Sequence, residues 1–239
     1  MRVAIVLTGH MRCWEQVFPI FKQRFIDRYN PDIFIHTWKD QAWWDPHSKE
    51  GFVANSPNID IEAINQHYKP IEMVVQDFEY FRPSFEAQAE NYEKHYHVKR
   101  NILSMFYKLG QGISLMEEHM MKTGKQYDLV IRMRPDLVFN IDLPNFDTNK
   151  FYTIHHRNHV GLGTGDTFQA GNPWLMSIFS KLPLILPEIY KRTDILCPHI
   201  VSKQFLEDMK YPWEEFVTDT TLMHTPAGPY VPKEAYFRG

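Results

Sequence analysis

The feature that most constrains the fold is a continuous apolar run at residues 3–7, VAIVL, which is followed at once by the polar sequence TGH. An uninterrupted apolar run of this length is typical of a strand buried on both faces, as strands in parallel sheets are. Apolar side chains then recur with helical spacing over residues 14–25, and a second short apolar run follows at residues 32–38. The sequence therefore predicts a βαβ unit at its start and an α/β fold with a mixed, mostly parallel sheet flanked by helices.

Further segments fall into two groups according to their periodicity. Those with a clear pattern predict a strand at 72–76, a long helix at 102–120, a strand at 127–131 and a helical stretch at 174–190. Those without one predict a surface loop at 39–58, a mobile insert at 83–97 and coil from 216 to 239. Since the chain has 239 residues, of which 44% are hydrophobic, we expect a single domain with one substantial core.

Charge and cysteine usage narrow the class of partner and the compartment. The formal net charge is −3 and the basic residues are scattered, so we expect no nucleic acid partner. Cys13 and Cys197 lie far apart and match no metal-ligand spacing, which favours a reducing compartment. The apolar run at the start is too short for a signal peptide or a membrane span. We therefore expect a cytoplasmic protein without a transmembrane segment.

The first candidate site is the loop after the first predicted strand. Ligands of open parallel sheets bind at the carboxyl ends of the strands, where helix N-termini offer unpaired N–H groups. Gly9 permits close approach of the backbone, Thr8 offers a hydroxyl, and Arg12 can make forked hydrogen bonds to a phosphate. An ordinary strand-to-helix turn with a surface arginine fits the same pattern, so both interpretations stay open.

The second candidate site follows the strand at 127–131. Strand alternation places Arg132, Arg134 and Asp136 on one side if the extended conformation continues through Pro135. Two parallel guanidinium groups suit a diphosphate, and the carboxylate suits a divalent cation or a sugar hydroxyl. The alternative is a salt-bridge network at the end of a strand, where buried charge needs partners.

Several motifs together resemble a known family. The sequences IVLTGHMRCWE, PDIFIHTW, NILSMFYKL, YDLVIRMRPDLVF and GDTFQAGNPWLM are similar to those of GT-A-like glycosyltransferases found in bacteria and large DNA viruses, and the resemblance covers residues 3–205. It implies a Rossmann-like, GT-A-like fold with a nucleotide-binding part at about 1–136 and an acceptor-side part at about 137–239. It also implies a nucleotide-sugar donor and a carbohydrate or glycan acceptor.

The resemblance departs from the family's pattern at the metal-binding motif. Where GT-A enzymes have Asp-x-Asp, this chain reads Arg134-Pro135-Asp136, so only the last carboxylate is matched. Arg132 and Arg134 could replace part of the cation's charge on the leaving diphosphate. Alternatively, Asp136 could bind Mn²⁺ or Mg²⁺ with His224, which lies where GT-A proteins often contribute a ligand. Both alternatives stay open.

The third candidate site is the Gly-rich sequence around Asp166, which resembles the acceptor-side strand and turn of GT-A proteins. We predict Asp166 as the catalytic base for the acceptor hydroxyl, although a Gly-rich turn capped by this carboxylate is an alternative. The histidine-rich sequence HHRNH at 155–159 lacks helical i, i+4 pairing and is interpreted as a polar loop. A non-catalytic nucleotide- or sugar-binding module and a nucleotide-sugar hydrolase are the competing functions.

Overall fold

A computed structural model describes residues 1–43, 56–95, 98–155, 163–216 and 219–223. The strands in these ranges are β1 (Val3–Gly9), β2 (Asp32–Trp38), β3 (Glu72–Gln76), β4 (Leu129–Met133), β5 (Leu137–Phe139), β6 (Phe151–Ile154), β7 (Phe168–Gly171), β8 (Trp213–Phe216) and β9 (Thr220–Leu222). The helices are α1 (Trp14–Phe21), α2 (Asp27–Tyr29), α3 (Ile61–Tyr68), α4 (Phe78–Ala89), α5 (Lys99–Thr123), α6 (Pro173–Ser180), α7 (Leu182–Thr193) and α8 (Pro198–Met209). A π-helical segment, Lys22–Ile26, joins α1 to α2.

One seven-stranded sheet organises these elements, in the order β3-β2-β1-β4-β7-β6-β8. The first four strands in this order are parallel, whereas β7 runs antiparallel to both of its neighbours, β4 and β6. β8 pairs in parallel with β6, and β5 and β9 form a separate antiparallel pair. The predicted mixed, mostly parallel sheet is confirmed.

Helices cover both faces of the sheet. Because successive strand residues point to opposite faces, the strands contribute side chains to two apolar clusters. Val6, Phe34 and Val130 lie in an apolar cluster formed with helices α4 to α8. Ile5 and Ile131 lie in a second cluster, which includes residues of α1, the π-helical segment and α3. Helices therefore flank the sheet on both sides, as the apolar strand sequences predict.

Helix α5 packs closely on the parallel half of the sheet. It ends at Thr123 and is followed by Gly124, which has a φ of 71° and serves as a left-handed C-cap. A Cβ added at Gly112 would overlap the Thr8 Cγ2 atom and would lie 2.9 Å from Val6 Cγ1. A residue without a side chain at this position lets the helix backbone rest directly on β1.

The sequence predicted the first three strands and α5 correctly, but it missed the helices α3, α4 and α8. The mobile insert predicted at 83–97 is wrong over its first part, because α4 extends through Ala89. Its Asp77 cap accepts a hydrogen bond from the Glu79 N–H, and Phe85 and Ala89 are buried against the core shared with α5. Burial of these side chains outweighs the helix-breaking tendency of Pro83. Helix α3 begins after Asp60, within a stretch for which the sequence made no prediction.

Two other predictions fall partly outside the described residues. Of the surface loop predicted at 39–58, residues 44–55 are not described, and a bridge joins Asp40 to Asn58 near its ends. The coil predicted from 216 is wrong at β9, which pairs with β5. Residues 224–239, which include His224, lie outside the described ranges.

Candidate active site at the β1–β4 switch point

The order of the parallel strands creates a switch point between β1 and β4. From β1 the sheet continues through β2 and β3 in one direction, while β4 lies on the other side. Ligands of open α/β sheets bind in the crevice outside the carboxyl ends of the strands at such a point. The first two candidate sites follow β1 and β4, so the fold brings them to the same edge of the sheet.

β1 ends at a glycine with a positive φ, and the loop after it carries a buried arginine. Gly9 has a φ of +111°, a conformation open to glycine, and no heavy atom lies within 4 Å of an added Cβ. Arg12 donates from Nε to the Ala42 carbonyl oxygen over 2.6 Å and from an Nη to Asp136 Oδ2 over 3.2 Å. Arg12 is therefore not the surface arginine of the alternative interpretation, because it is buried and joins three loops.

Asp136 lies in a turn rather than on an extended strand. β4 ends at Met133, and the Leu137 N–H donates to the Arg134 carbonyl over 3.3 Å, so the extended conformation does not continue through Pro135. The turn lets Arg134 form a forked pair with the Asp136 carboxylate, with N···O distances of 2.9 and 2.6 Å. Only 1% of the Asp136 side chain is exposed, so two guanidinium groups, those of Arg12 and Arg134, supply its polar surroundings.

Arg132 points back across the sheet instead of toward Asp136. Its guanidinium donates to Thr8 Oγ1 over 2.6 Å, to the Asp166 carbonyl oxygen over 2.6 Å and to Gln169 Oε1 over 2.9 Å. The residue is 1% exposed. Two residues predicted to bind the donor, Thr8 and Arg132, thus bind each other inside the sheet.

The three arginines differ in electrostatic environment. Burial lowers the pKa of Arg132 to about 10, against the attraction of Asp166. Burial also lowers the pKa of Arg12, and Asp136 opposes that effect. For Arg134 burial acts in the same direction, but the Asp136 carboxylate outweighs it and the pKa is raised. The Asp136 and Asp166 carboxylates act on these arginines, so basic and acidic side chains share this edge of the sheet.

Asp166 lies on the other side of Arg132, next to a histidine that the sequence reasoning did not select. His199, at the start of α8, has its Nδ1 atom 2.9 Å from the Thr164 carbonyl oxygen and 3.7 Å from Asp166 Oδ1. The charge of Asp166 acts on both Arg132 and Arg134. The predicted base therefore lies within electrostatic reach of the predicted diphosphate-binding arginines.

A His10–Asp40 pair also lies at this edge. His10 Nδ1 is 3.1 Å from the Asp40 carbonyl oxygen and 3.4 Å from Asp40 Oδ1, and burial lowers the pKa of the imidazole. The Asp40 pKa is lowered as well, since its hydrogen bond and attraction to His10 outweigh its burial. His10 directly follows β1, and Asp40 lies two residues beyond the end of β2. Because adjacent parallel strands end at one edge of a sheet, the positions of these residues after two predicted strands could have indicated that they lie together.

A buried lysine on α5 joins the ends of β2 and β3. Lys108 donates to the Thr37 carbonyl oxygen over 2.8 Å and to Gln76 Oε1 over 2.9 Å, and its Nζ lies 3.5 Å from the Trp38 ring centroid. Burial lowers its pKa to about 6. Burial and then Lys108 lower the pKa of His36 to about 3. Periodicity places Lys108 on the helix, but nothing in the sequence reveals that its side chain is buried.

Whether Asp136 can bind a divalent cation depends on which groups its two carboxylate oxygens already contact. Oδ1 accepts from Arg134, and Oδ2 accepts from both Arg12 and Arg134, which leaves the carboxylate surrounded by cations. Within the described ranges, no group of three or more His, Cys, Asp or Glu side chains is arranged to hold a metal. The arrangement of Asp136 therefore does not fit a metal ligand. His224 lies outside the described residues, and metal dependence stays a prediction.

Other sequence predictions concern the histidines, the cysteines and the membrane. His155 Nδ1 lies 2.9 Å from Glu215 Oε2, whereas the rest of the histidine-rich sequence falls outside the described residues. Cys13 and Cys197 are free and buried, and burial raises the pKa of the Cys13 thiol to about 11. In the part of the chain that the structure describes, no helix combines the length and apolar character needed to span a bilayer.

Comparison with known proteins finds similarity in solved structures but not in sequence. No protein-family model matches the sequence. No curated protein matches it. Among solved structures, the apo form of mouse xyloside xylosyltransferase 1 aligns over 90% of this chain and 84% of its own, with 7% identity and a TM-score of 0.44. A likeness at this level supports no statement about activity, so a function has to follow from the residues of the site.

Proposed function

We propose that this protein is a glycosyltransferase that moves a sugar from a nucleotide-sugar donor to a carbohydrate acceptor. The observation that carries the proposal is the pair of guanidinium groups, Arg12 and Arg134, which flank Asp136 at the β1–β4 switch point. The motifs that resemble GT-A-like enzymes include both loops that form this site.

The diphosphate of the donor is the group that these arginines suit best. Asp136 holds Arg134 by two of its five N–H donors, and 20% of the Arg134 side chain is exposed, so the guanidinium can bind a further anion. Gly9 leaves open space beside the backbone, which permits close approach of the nucleotide. Thr8 and Arg132 contribute from inside the sheet by supporting these loops.

The transfer itself needs charge stabilisation and a base. As the bond from the anomeric carbon to the diphosphate oxygen breaks, negative charge grows on the diphosphate, and fixed guanidinium groups neutralise it without rearrangement. The anomeric carbon forms its new bond to the acceptor oxygen, and we assign Asp166 to take the proton of that hydroxyl. In this proposal Arg12 and Arg134 supply the positive charge at the diphosphate.

Calorimetric titration with a panel of nucleoside diphosphates tests the binding step. We expect one of them to bind in the presence of EDTA, and Arg134→Gln to weaken that binding by about 10-fold or more, as for loss of a charge-assisted forked contact. Arg24→Gln is the matched control, because Arg24 forms an exposed ion pair with Asp142. No binding by any nucleoside diphosphate would contradict the proposal.

Turnover assays separate the proposed activity from its alternatives. Using the nucleotide sugar whose base binds best, we expect slow release of nucleoside diphosphate that a mixture of glycan acceptors accelerates. Release that no acceptor changes would indicate a hydrolase. Tight binding without any release would indicate a non-catalytic binding module.

A further inference from the structure

The segment formed by residues 163–166 is held at three successive carbonyl groups. The Thr164 carbonyl is 2.9 Å from His199 Nδ1, and the Asp166 carbonyl accepts from Arg132 over 2.6 Å. Between them, the Gly165 carbonyl accepts from Thr153 Oγ1 over 2.6 Å and from Gln169 Nε2 over 3.3 Å. The four side chains that make these contacts belong to different positions of β4, β6, β7 and α8.

The same segment is also fixed by close backbone packing. A Cβ at Gly163 would lie 2.6 Å from His199 Cβ, and one at Gly165 would overlap the Ile154 carbonyl oxygen. The Gly165 N–H donates to that carbonyl over 2.8 Å, and the Thr164 N–H donates to the His199 carbonyl over 3.1 Å. The segment is therefore wedged between the end of β6 and the first turn of α8.

This arrangement fixes the backbone from which the Asp166 carboxylate extends. The carbonyl groups of Gly165 and Asp166 are both held, so the peptide planes on either side of the Asp166 Cα are fixed. Only the two side-chain torsions of Asp166 then decide where its oxygen atoms lie. A group fixed in this way needs little reorganisation when it acts on a substrate.

Arg132 connects this segment to the strand that leads into the arginine site. Its Nε donates to Thr8 on β1, while an Nη donates to the Asp166 carbonyl and to Gln169 on β7. Because the guanidinium is planar and rigid, these bonds fix the separation between the end of β1 and Asp166. A lysine here could not serve the same acceptors in one fixed geometry.

We propose that Arg132, Thr153 and Gln169 are positioning residues that hold the Asp166 carboxylate at a set distance from Arg12 and Arg134. This proposal rests on the proposed function, because the role of this distance is to align the acceptor hydroxyl with the donor sugar. It differs from the expectation that Arg132 binds the diphosphate, since the Arg132 side chain acts through Thr8 and Asp166.

Hydrogen exchange tests the fixation of the segment without any ligand. Thr153→Val removes the hydroxyl that donates to Gly165, whereas Thr153→Ser retains it and serves as the matched control. We expect exchange in peptides covering residues 163–169 to accelerate by about 10-fold in the valine variant alone, which corresponds to about 1.4 kcal/mol. Equal exchange in the two variants would overturn the proposal.

Kinetic measurements test the consequence for the reaction. For Arg132→Lys we expect the affinity for the best-binding nucleoside diphosphate to stay within about 3-fold, while release from its nucleotide sugar slows on the order of 100-fold, as for a misplaced reacting group. Equal losses in affinity and rate would make Arg132 a ligand, and an unchanged rate would make it merely structural. Either result overturns the proposal.

Two further measurements keep the outcomes distinct. The Gln169 side chain forms hydrogen bonds with both Arg132 and the Gly165 carbonyl, and Gln169→Met removes them while keeping the size of the side chain. If Arg132→Lys does not fold, Gln169→Met replaces it in the kinetic test. We expect it to lower the rate with unchanged affinity. If wild-type protein binds no nucleoside diphosphate, the proposed function fails, while the exchange comparison still decides whether Asp166 is held as we infer.

Discussion

Asp136 is buried and balances the charge of Arg12, which is also buried, and of Arg134, which is partly exposed. Because both of its oxygens accept from Arg12 or Arg134, Asp136→Asn leaves these two guanidinium groups with a neutral partner. We expect the free energy of unfolding to fall by about 3 kcal/mol, measured by urea titration. Asp142→Asn is the control. Asp142 is 83% exposed in its pair with Arg24, so we expect a change below about 0.5 kcal/mol.

The opposite result would change the interpretation of this carboxylate. If Asp136→Asn kept full stability but lost turnover of the nucleotide sugar, Asp136 would act on the substrate or on a cation rather than on the arginines. The sequence alone left both possibilities open, because a pair of arginines followed by an aspartate fits either.

Sequence reasoning selected two separate loops that lie in contact in the structure, but it did not give the direction of every side chain. It selected Arg12, Arg134 and Asp136 because they follow strands that end at one edge, and these residues are in contact. It failed for Arg132, since strand alternation gives the face of a side chain but not its reach. Whether an arginine extends beyond the edge or bonds back to Thr8 depends on partners from other strands.

Helix α5 carries a buried lysine, and this contact makes stability depend on pH. The pKa of Lys108 is lowered by burial to about 6, so in the folded protein it loses its proton while the unfolded chain keeps one up to about pH 10. Between about pH 6 and pH 10 the unfolded state therefore binds more protons than the folded state. The contribution of Lys108 to stability is fully present above this pH range and is lost as the pH falls toward 6.

Lys108→Met tests this linkage by removing the titrating group. We expect the free energy of unfolding of the wild type to rise with pH relative to the variant, by at most about 1.4 kcal/mol per pH unit between pH 6 and 10. Urea titrations at several pH values measure the difference. Lys122→Met, on an exposed position of the same helix, should leave the slope unchanged. Parallel curves for Lys108→Met and the wild type would contradict the pKa shift.

The contact between α5 and β1 gives a second prediction for this helix. Gly112→Ala adds a methyl group that overlaps the Thr8 side chain, so the helix or the strand must move. We expect a loss of about 2 kcal/mol despite the better helix propensity of alanine. Gln111→Ala, at the neighbouring exposed position, should be neutral or slightly stabilising in the same thermal unfolding measurement. Equal melting temperatures for both variants would contradict the close approach.

Elements with a strong local signal were predictable, and those held by distant partners were not. β1, β2 and α5 show uninterrupted apolar runs or helical spacing, which local sequence encodes directly. β5 and β9 are three residues each and pair across more than eighty residues of chain, so neither has a periodicity to detect. Their existence depends on the tertiary fold, which overrides weak local preference.

The whole molecule offers a test of whether a cation takes part in donor binding. A ligand that binds only the folded protein stabilises it by about 2.7 kcal/mol at 100 times its Kd, or roughly 5–10 °C in Tm for a chain of this size. We expect the best-binding nucleoside diphosphate to give such a shift equally with EDTA and with Mn²⁺. The corresponding nucleoside, which lacks the phosphates, is the control. A shift that requires Mn²⁺ would favour the metal alternative.

The order of strands in the sheet was only partly accessible to sequence reasoning. An initial βαβ unit implies that β1 and β2 are parallel neighbours, as they are. The placement of β7 between β4 and β6, antiparallel to both, follows from long-range pairing that no local pattern reports. The part of the chain beyond β4 was therefore the least predictable part of the fold.

The position of β1 between β2 and β4 also has a consequence for synthesis of the chain on the ribosome. The first three strands are complete at Gln76, but α5, which packs on β1 and β2, ends only at Thr123, and β4 follows later still. At about 5–20 residues per second, translation of that interval takes roughly 2–10 s. During this time the face of the nascent sheet that α5 covers in the folded protein lacks that helix, so apolar side chains such as Val6 and Phe34 stay without this cover.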